Sequence, residues 1–222
     1  MRTLSTKTST HGRTLIKDPT PPSSPHRLLV GFHGYAQNAE EMLAELERLP
    51  GAQEWTLVAV QALHRFYARG GEKVVASWMT RQDRELAIAD NIAYVNQVVS
   101  TLLAGAPNAA IVFIGFSQGV AMAYRAAVLG SHRPVGVITV GGDVPPDVKT
   151  ISADQFPPIF IAAGDADQWY TSEKADADEV FLRSHGVRTE VFRYHGGHEW
   201  TDELRDHFRR VLDRLVQWTQ TR

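Results

Sequence analysis

The sequence predicts an α/β fold: a mostly parallel sheet with helices on both faces and an N-terminal antiparallel hairpin at one sheet edge. Three observations carry this expectation. Short apolar runs without polar alternation recur along the chain, as strands buried on both faces require. Between them lie segments whose apolar residues keep the helical period, so strand and helix alternate to the last residues. The 222 residues are 43% hydrophobic and 22% charged, the make-up of a globular protein with chain enough for one full core. A single domain over residues 1–222 is expected.

Thr3–Lys17 alternates polar and apolar residues around His11-Gly12 and reads as the hairpin. Pro19–Pro25 is a stiff proline-rich connector, and Arg27–Phe32 is the first core strand. A helix follows from Asn38, with Glu41 as its reciprocal capping partner and Met42, Leu43, Leu46 and Leu49 turned inward. Thr56–Val60 is the next strand, succeeded by a loop holding Phe66, Tyr67 and Trp78. Leu86, Ala89, Ile92, Ala93, Val99 and Leu103 keep the period of a long helix. Ala110–Phe116 runs through a turn at Ser117 into a helix over Val120–Leu129. Val135–Val140, Ile159–Ala163 and Thr189–Tyr194 are further strands. Ser172 is expected to cap a helix ending near Gly186, and a closing helix carries Leu204, Phe208, Val211, Leu212 and Leu215 on one stripe.

Composition removes several function classes. A formal net charge of −2 gives no case for nucleic acid or an anionic membrane as main partner. With no cysteine there is no disulfide, cysteine nucleophile, zinc–thiolate or iron–sulfur site. The first residues lack the apolar core of a signal peptide, and no apolar run reaches bilayer length, so the cytoplasm is the expected location.

The chemistry centres on Gly115-Phe116-Ser117-Gln118-Gly119. A strand feeding straight into a helix must turn hard at one residue, and glycine two places to either side relieves the collision. That turn lifts the serine hydroxyl above the sheet and leaves the N–H of Gln118 at a helix N-terminus, where it can meet an oxyanion. A serine nucleophile needs a base, and the base needs an acid to hold its tautomer. In a parallel sheet both must come from loops at the carboxyl ends of strands. Gly164-Asp165-Ala166-Asp167 and His195-Gly196-Gly197-His198 occupy such loops, giving the chain order Ser, Asp, His. Asp143, Asp165 and Asp167 all remain open as the acid, and His195 and His198 as the base. A metal site is not expected: His195 and His198 have no third ligand at useful spacing, and Asp202 stands where a zinc-protease helix would need its second histidine. The His33-Gly34 loop after the first core strand points to the N–H of Tyr35 as a second oxyanion donor.

Taken together, Gly-Phe-Ser-Gln-Gly, His33-Gly34, Ser77-Trp78 before a long helix, Gly-Asp-x-Asp and Gly-Gly-His resemble the phospholipase/carboxylesterase family of α/β-hydrolases, which includes acyl-protein thioesterases and small bacterial carboxylesterases. The resemblance runs in order along nearly the whole chain. It implies Ser117 as nucleophile, Asp167 as acid and His198 as base, with the backbone N–H groups of Tyr35 and Gln118 as oxyanion hole and no cofactor. Two segments depart from it: Trp78-Met79-Thr80 replaces Trp-Phe-Asp, and Asp167-Gln168-Trp169-Tyr170 replaces Asp-Pro-x-Val-Pro. Both are expected to shape the pockets, and Trp78, Trp169, Tyr170 and Phe66 are the expected substrate-binding residues.

The resulting expectation is a serine carboxylesterase acting on short to medium acyl esters, without a cap domain. Its partner is a small-molecule acyl ester, with no nucleic acid and no stable membrane association, and a homodimer is compatible with the sequence. The alternatives are a lysophospholipase or thioesterase acting on long acyl chains, and a hydrolase-fold protein that binds a small ligand with little turnover.

Overall fold

Seven strands build one sheet in the computed structural model, which describes residues 1–22 and 26–220. The end of the proline-rich connector, residues 23–25, lies outside the described residues. In chain order the elements are β1 (Arg13–Lys17), β2 (Arg27–Phe32), α1 (Ala39–Glu47), β3 (Thr56–Gln61), β4 (His64–Tyr67), β5 (Val74–Ser77), α2 (Arg84–Leu103), β6 (Ala110–Phe116), α3 (Gln118–Val128), β7 (Gly136–Val140), β8 (Ile159–Gly164), α4 (Ser172–Ser184), β9 (Thr189–Tyr194) and α5 (Asp202–Gln220). The sheet order is β1-β3-β2-β6-β7-β8-β9, parallel throughout except for β1.

Strand alternation sorts the core into two layers. Val30, Phe32, Val58, Val60, Ile111 and Phe113 face the buried sides of α2, α3 and α4. Leu29, Leu57, Val112, Ile114, Ile138 and Phe160 face α1 and α5. Covered on both sides, β3, β7 and β8 are buried along their whole length, the condition that produces unalternating apolar runs. Helix α1 opens with the expected capping box, in which the Asn38 side chain accepts from Glu41 N–H and the Glu41 side chain accepts from Asn38 N–H.

Five expectations are corrected. The N-terminal hairpin does not form: β1 is a lone edge strand whose antiparallel mate is β3, with Arg13 opposite Gln61 and Lys17 opposite Leu57, and residues 1–12 form no strand. The segment holding Phe66 and Tyr67 is no loop but a hairpin, β4 on β5, tied to the turn after β2 by Ala36 N–H to Ala76 O at 3.1 Å and Ala76 N–H to Gln37 O at 2.8 Å. Thr171, not Ser172, flanks the start of α4, and it makes no side-chain cap bond. The buried stripe of α2 is Ala87, Ile88, Asn91, Val95 and Val99, while Leu86 is exposed. The polar Asn91 takes an inward place because its amide donates to Trp78 O (2.9 Å) and Ala87 O (2.8 Å). By length and composition α2 is also apolar enough to cross a membrane, contrary to expectation; in the fold its stripe packs on the sheet layer shared with α3.

Candidate active site

Ser117 occupies the turn between β6 and α3 with φ 53 and ψ −119, a conformation that a non-glycine residue adopts only under strain. The flanking glycines are required sterically. A Cβ on Gly115 would sit 2.5 Å from Gly119 O, and one on Gly119 would sit 2.0 Å from Phe32 O. The second clash is with β2 rather than with Gly115, so Gly119 also lets α3 close onto the sheet.

Asp167, in the loop after β8, and His198, in the loop after β9, reach this serine past the end of β7. His198 Nε2 lies 2.8 Å from Ser117 Oγ, and Nδ1 lies 2.7 Å from Asp167 Oδ2. The Asp167 side chain is fully buried, and its other oxygen accepts the N–H groups of Trp169 (2.8 Å) and Tyr170 (2.9 Å). An acceptor-only carboxylate at Nδ1 places the imidazole hydrogen there, which leaves Nε2 free to accept from the serine hydroxyl. Phe116 backs the imidazole at a ring separation of 5.0 Å. Gly141 (φ 63) is pressed against the pair: a Cβ there would lie 3.1 Å from His198 Nδ1 and 3.2 Å from Asp167 Oδ2.

The rival residues are engaged elsewhere. His195 is 89% exposed on its side chain and pairs with Glu203 at 3.3 Å. Asp143 lies 3.7 Å from Lys174, and Asp165 accepts Gly196 N–H at 3.1 Å, joining the loops after β8 and β9. Tyr194 reinforces that loop by donating to Glu199 O at 2.9 Å, and burial pushes its phenol pKa up.

The turn after β2 packs directly on Ser117, since a Cβ on Gly34 would lie 3.3 Å from Ser117 Cβ. Gly34 N–H donates to Gln37 Oε1 (2.7 Å) and Ala36 N–H to Ala76 O, whereas the N–H groups of Tyr35 and Gln118 have no acceptor among the described residues. Ala36 holds φ 57, so this turn is strained as well. His33 fastens it from below: Nε2 accepts Ala62 N–H (3.1 Å), so Nδ1 carries the hydrogen and donates to Gly34 O (2.7 Å). Burial lowers the His33 pKa and keeps the ring neutral, as this arrangement requires. The Gln118 side chain does comparable work at the start of α3, accepting Trp78 N–H at 2.9 Å and donating to Met79 O at 3.1 Å. The sequence signals no side-chain role for His33 or the Gln118 amide, because their partners Ala62, Trp78 and Met79 lie 29 to 40 residues away in the chain.

Of the expected substrate-binding aromatics, Trp78 and Tyr170 are corrected. Trp78 is 0% exposed; its ring packs edge-on to Phe32 and its indole N–H donates to His33 O at 2.8 Å, so it supports the turn after β2 from within the core. Tyr170 is 2% exposed, and its hydroxyl donates to Asp178. Trp169 remains 73% exposed and Tyr35 60%, with half-buried Phe66 at a ring separation of 5.6 Å from Tyr35.

Comparison with known proteins agrees with this architecture. The chain is similar to the crystal structure of esterase PE8 (18% identity, TM-score 0.73, covering 93% of this chain and 100% of that one). It is likewise similar to the Bacillus cereus carboxylesterase (17%, TM-score 0.73, covering 92% and 94%) and to Zea mays acyl-protein thioesterase 2 (19%, TM-score 0.69, covering 93% and 100%). At such identities these likenesses speak for the fold. A comparison with curated proteins finds no significant match. Residues 20–211 match the phospholipase/carboxylesterase family model, a span that includes every site residue described above. The chain therefore belongs to the phospholipase/carboxylesterase family, serine hydrolases that act on ester bonds.

Proposed function

We propose that the protein hydrolyses short to medium acyl carboxylic esters through an acyl-enzyme on Ser117. The observation that carries this reading is the continuous line Ser117 Oγ, His198 Nε2, His198 Nδ1, Asp167 Oδ2, with links of 2.8 and 2.7 Å. Ser117 Oγ attacks the ester carbonyl carbon while His198 Nε2 takes its proton. The carbonyl electrons move to oxygen, and the N–H groups of Tyr35 and Gln118 receive that oxyanion. Collapse expels the alkoxide, which recovers the proton from His198. A water then gives its proton to His198, attacks the acyl carbon and releases the acid, and the proton returns to Ser117. No cofactor enters this cycle.

The size preference follows from what could cover the site. Asp143–Phe156 contributes only the single 3-10 turns Pro146–Val148 and Ala153–Gln155, too short to build helices above Ser117. With Trp78 and Tyr170 withdrawn into the core, the exposed aromatic walls are Tyr35 and Trp169, which supports a shallow groove. The cytoplasm is the proposed site of action, consistent with the packing of the apolar stripe of α2 inside the fold; recovery of the protein with the membrane fraction would count against it.

The test is a panel of p-nitrophenyl esters with and without a serine-directed phosphonate, alongside Ser117→Ala. Loss of the nucleophile is expected to lower kcat by on the order of 10⁶ in a folded protein. A folded variant with near-normal turnover, or a phosphonate bound elsewhere, refutes the serine mechanism.

A further inference from the structure

We propose that Asp178, acting through Tyr170, is a positioning residue for Asp167; this rests on the reading of Asp167 as the acid that orients His198. Asp178 lies on the inner stripe of α4 with Ala175 and Leu182, buried among apolar residues. A carboxylate there is costly unless its partners compensate. Its Oδ2 accepts Val144 N–H at 2.9 Å and the Tyr170 hydroxyl at 3.3 Å, and Lys149 Nζ lies 3.4 Å from Oδ1. Tyr170 N–H in turn donates to Asp167 Oδ1 at 2.9 Å. One side chain thus pins two loops that flank the site. Tyr170 belongs to the loop that carries Asp167, and Val144 ends the Gly141–Asp143 turn, which abuts both His198 and Asp167.

The loop needs such an anchor. Asp167-Gln168-Trp169-Tyr170 contains no proline to stiffen it, and Trp169 is largely exposed. What holds Tyr170 at both ends is Asp178 at the hydroxyl and Asp167 at the N–H. If the ring slides, the N–H leaves Asp167 and the carboxylate can rotate away from Nδ1, a displacement of the kind that lowers turnover without weakening substrate binding. The ionisable groups around Asp178 are Lys149, Tyr170, Tyr124 and Asp143, the last paired with Lys174. Burial raises the Asp178 pKa, while the Val144 N–H and Lys149 oppose that shift.

The test measures kcat and KM on p-nitrophenyl butyrate for Tyr170→Phe, Asp178→Ala and Asp178→Asn, with Tyr170→Phe repeated in an Asp167→Ala background. Tyr170→Phe and Asp178→Ala are each expected to lower kcat roughly tenfold with KM within about twofold. Asp178→Asn keeps an oxygen for Tyr170 and Val144 and is expected to recover most of the loss. In the Asp167→Ala background Tyr170→Phe should change kcat less than about twofold, because no carboxylate is left to position. An unchanged kcat for Tyr170→Phe in the otherwise native protein overturns the inference. So does an equal fold-loss in both backgrounds, which would assign Tyr170 a purely structural role. Should Asp178→Ala fail to fold, Tyr170→Phe decides alone, since its ring packing is kept. Wild-type kcat for Asp167→Ala itself would be a different failure, that of the site reading on which this inference stands.

Discussion

Replacing Asp167 by asparagine separates what that residue does for chemistry from what it does for the fold. Asparagine keeps the volume and one acceptor oxygen. The N–H groups of Trp169 and Tyr170, at 2.8 and 2.9 Å, demand that this oxygen occupy the place of Oδ1. The opposite orientation would face donors with donors and leave the buried Tyr170 N–H unsatisfied, at about 1–3 kcal/mol, with the part-buried Trp169 N–H unsatisfied beside it. The amide NH₂ is therefore forced towards His198 Nδ1, where the carboxylate stood at 2.7 Å. An NH₂ only donates, so Nδ1 becomes the acceptor and the ring hydrogen moves to Nε2. The nitrogen 2.8 Å from Ser117 Oγ can then no longer take the serine proton. A wrong tautomer in this type of site costs roughly 10⁴ in kcat, which at about 1.36 kcal/mol per factor of ten is about 5.4 kcal/mol of barrier. Stability changes far less: about 1 kcal/mol would move Tm by about 2–4 °C in a chain of this size. Initial rates on p-nitrophenyl butyrate and a thermal melt by circular dichroism measure both. Activity within tenfold of the native protein, with an unchanged melt, refutes the tautomer argument.

Three further outcomes are expected. Alanine at His195 or Asp143 should leave kcat within about twofold, since both side chains are exposed and pair with Glu203 and Lys174 rather than with Ser117, His198 or Asp167; a loss comparable to that of His198→Ala would reassign the base or the acid. Asp147→Ala should cost about 3 kcal/mol at neutral pH, because Arg125, whose side chain is 1% exposed, loses its two 2.7 Å bonds and keeps its buried charge. Arg125 holds the Asp147 pKa below the ordinary carboxylate range, so this contribution is present above that range and fades as the pH falls through the lowered value; urea midpoints at pH 7 that match the native protein would contradict it. Finally, kcat/KM should rise with acyl length at roughly 0.8 kcal/mol per buried methylene and then level off. A steady rise to palmitoyl esters, or a jump above the micelle concentration, would favour a lipid-active enzyme.

Local sequence was enough to locate the strands and the serine turn. Unalternating apolar runs leave no face for water, so β2 and β6 can be read to their end residues. Gly115 and Gly119 around Ser117 announce a turn too tight for side chains. The stripe of α5 is legible because Leu204, Phe208, Val211, Leu212 and Leu215 are all buried. Family resemblance, added to strand-end position, separates Asp167 from Asp143 and Asp165 in the sequence, because carboxylates in strand-end loops differ chiefly in what they face.

Tertiary structure decided the rest, wherever a polar atom found a partner distant in the chain. The phase of α2 turns on Asn91 bonding to Trp78 O, and β1 pairs with β3 across 48 residues, with an Arg13–Gln61 side-chain bond, instead of folding onto its own neighbour. Trp78 and Tyr170 read as groove aromatics by position alone; an indole N–H claimed by His33 O and a phenol claimed by Asp178 draw them into the core. Asp178 did leave a sequence signal, an acidic residue on the Ala175–Leu182 stripe of an amphipathic helix, but only the folded chain shows that it faces Tyr170 and Val144. Apolar periodicity is a property of neighbouring residues and survives in one dimension. Hydrogen-bond pairing between remote loops does not, because each partner is set by where the sheet delivers it.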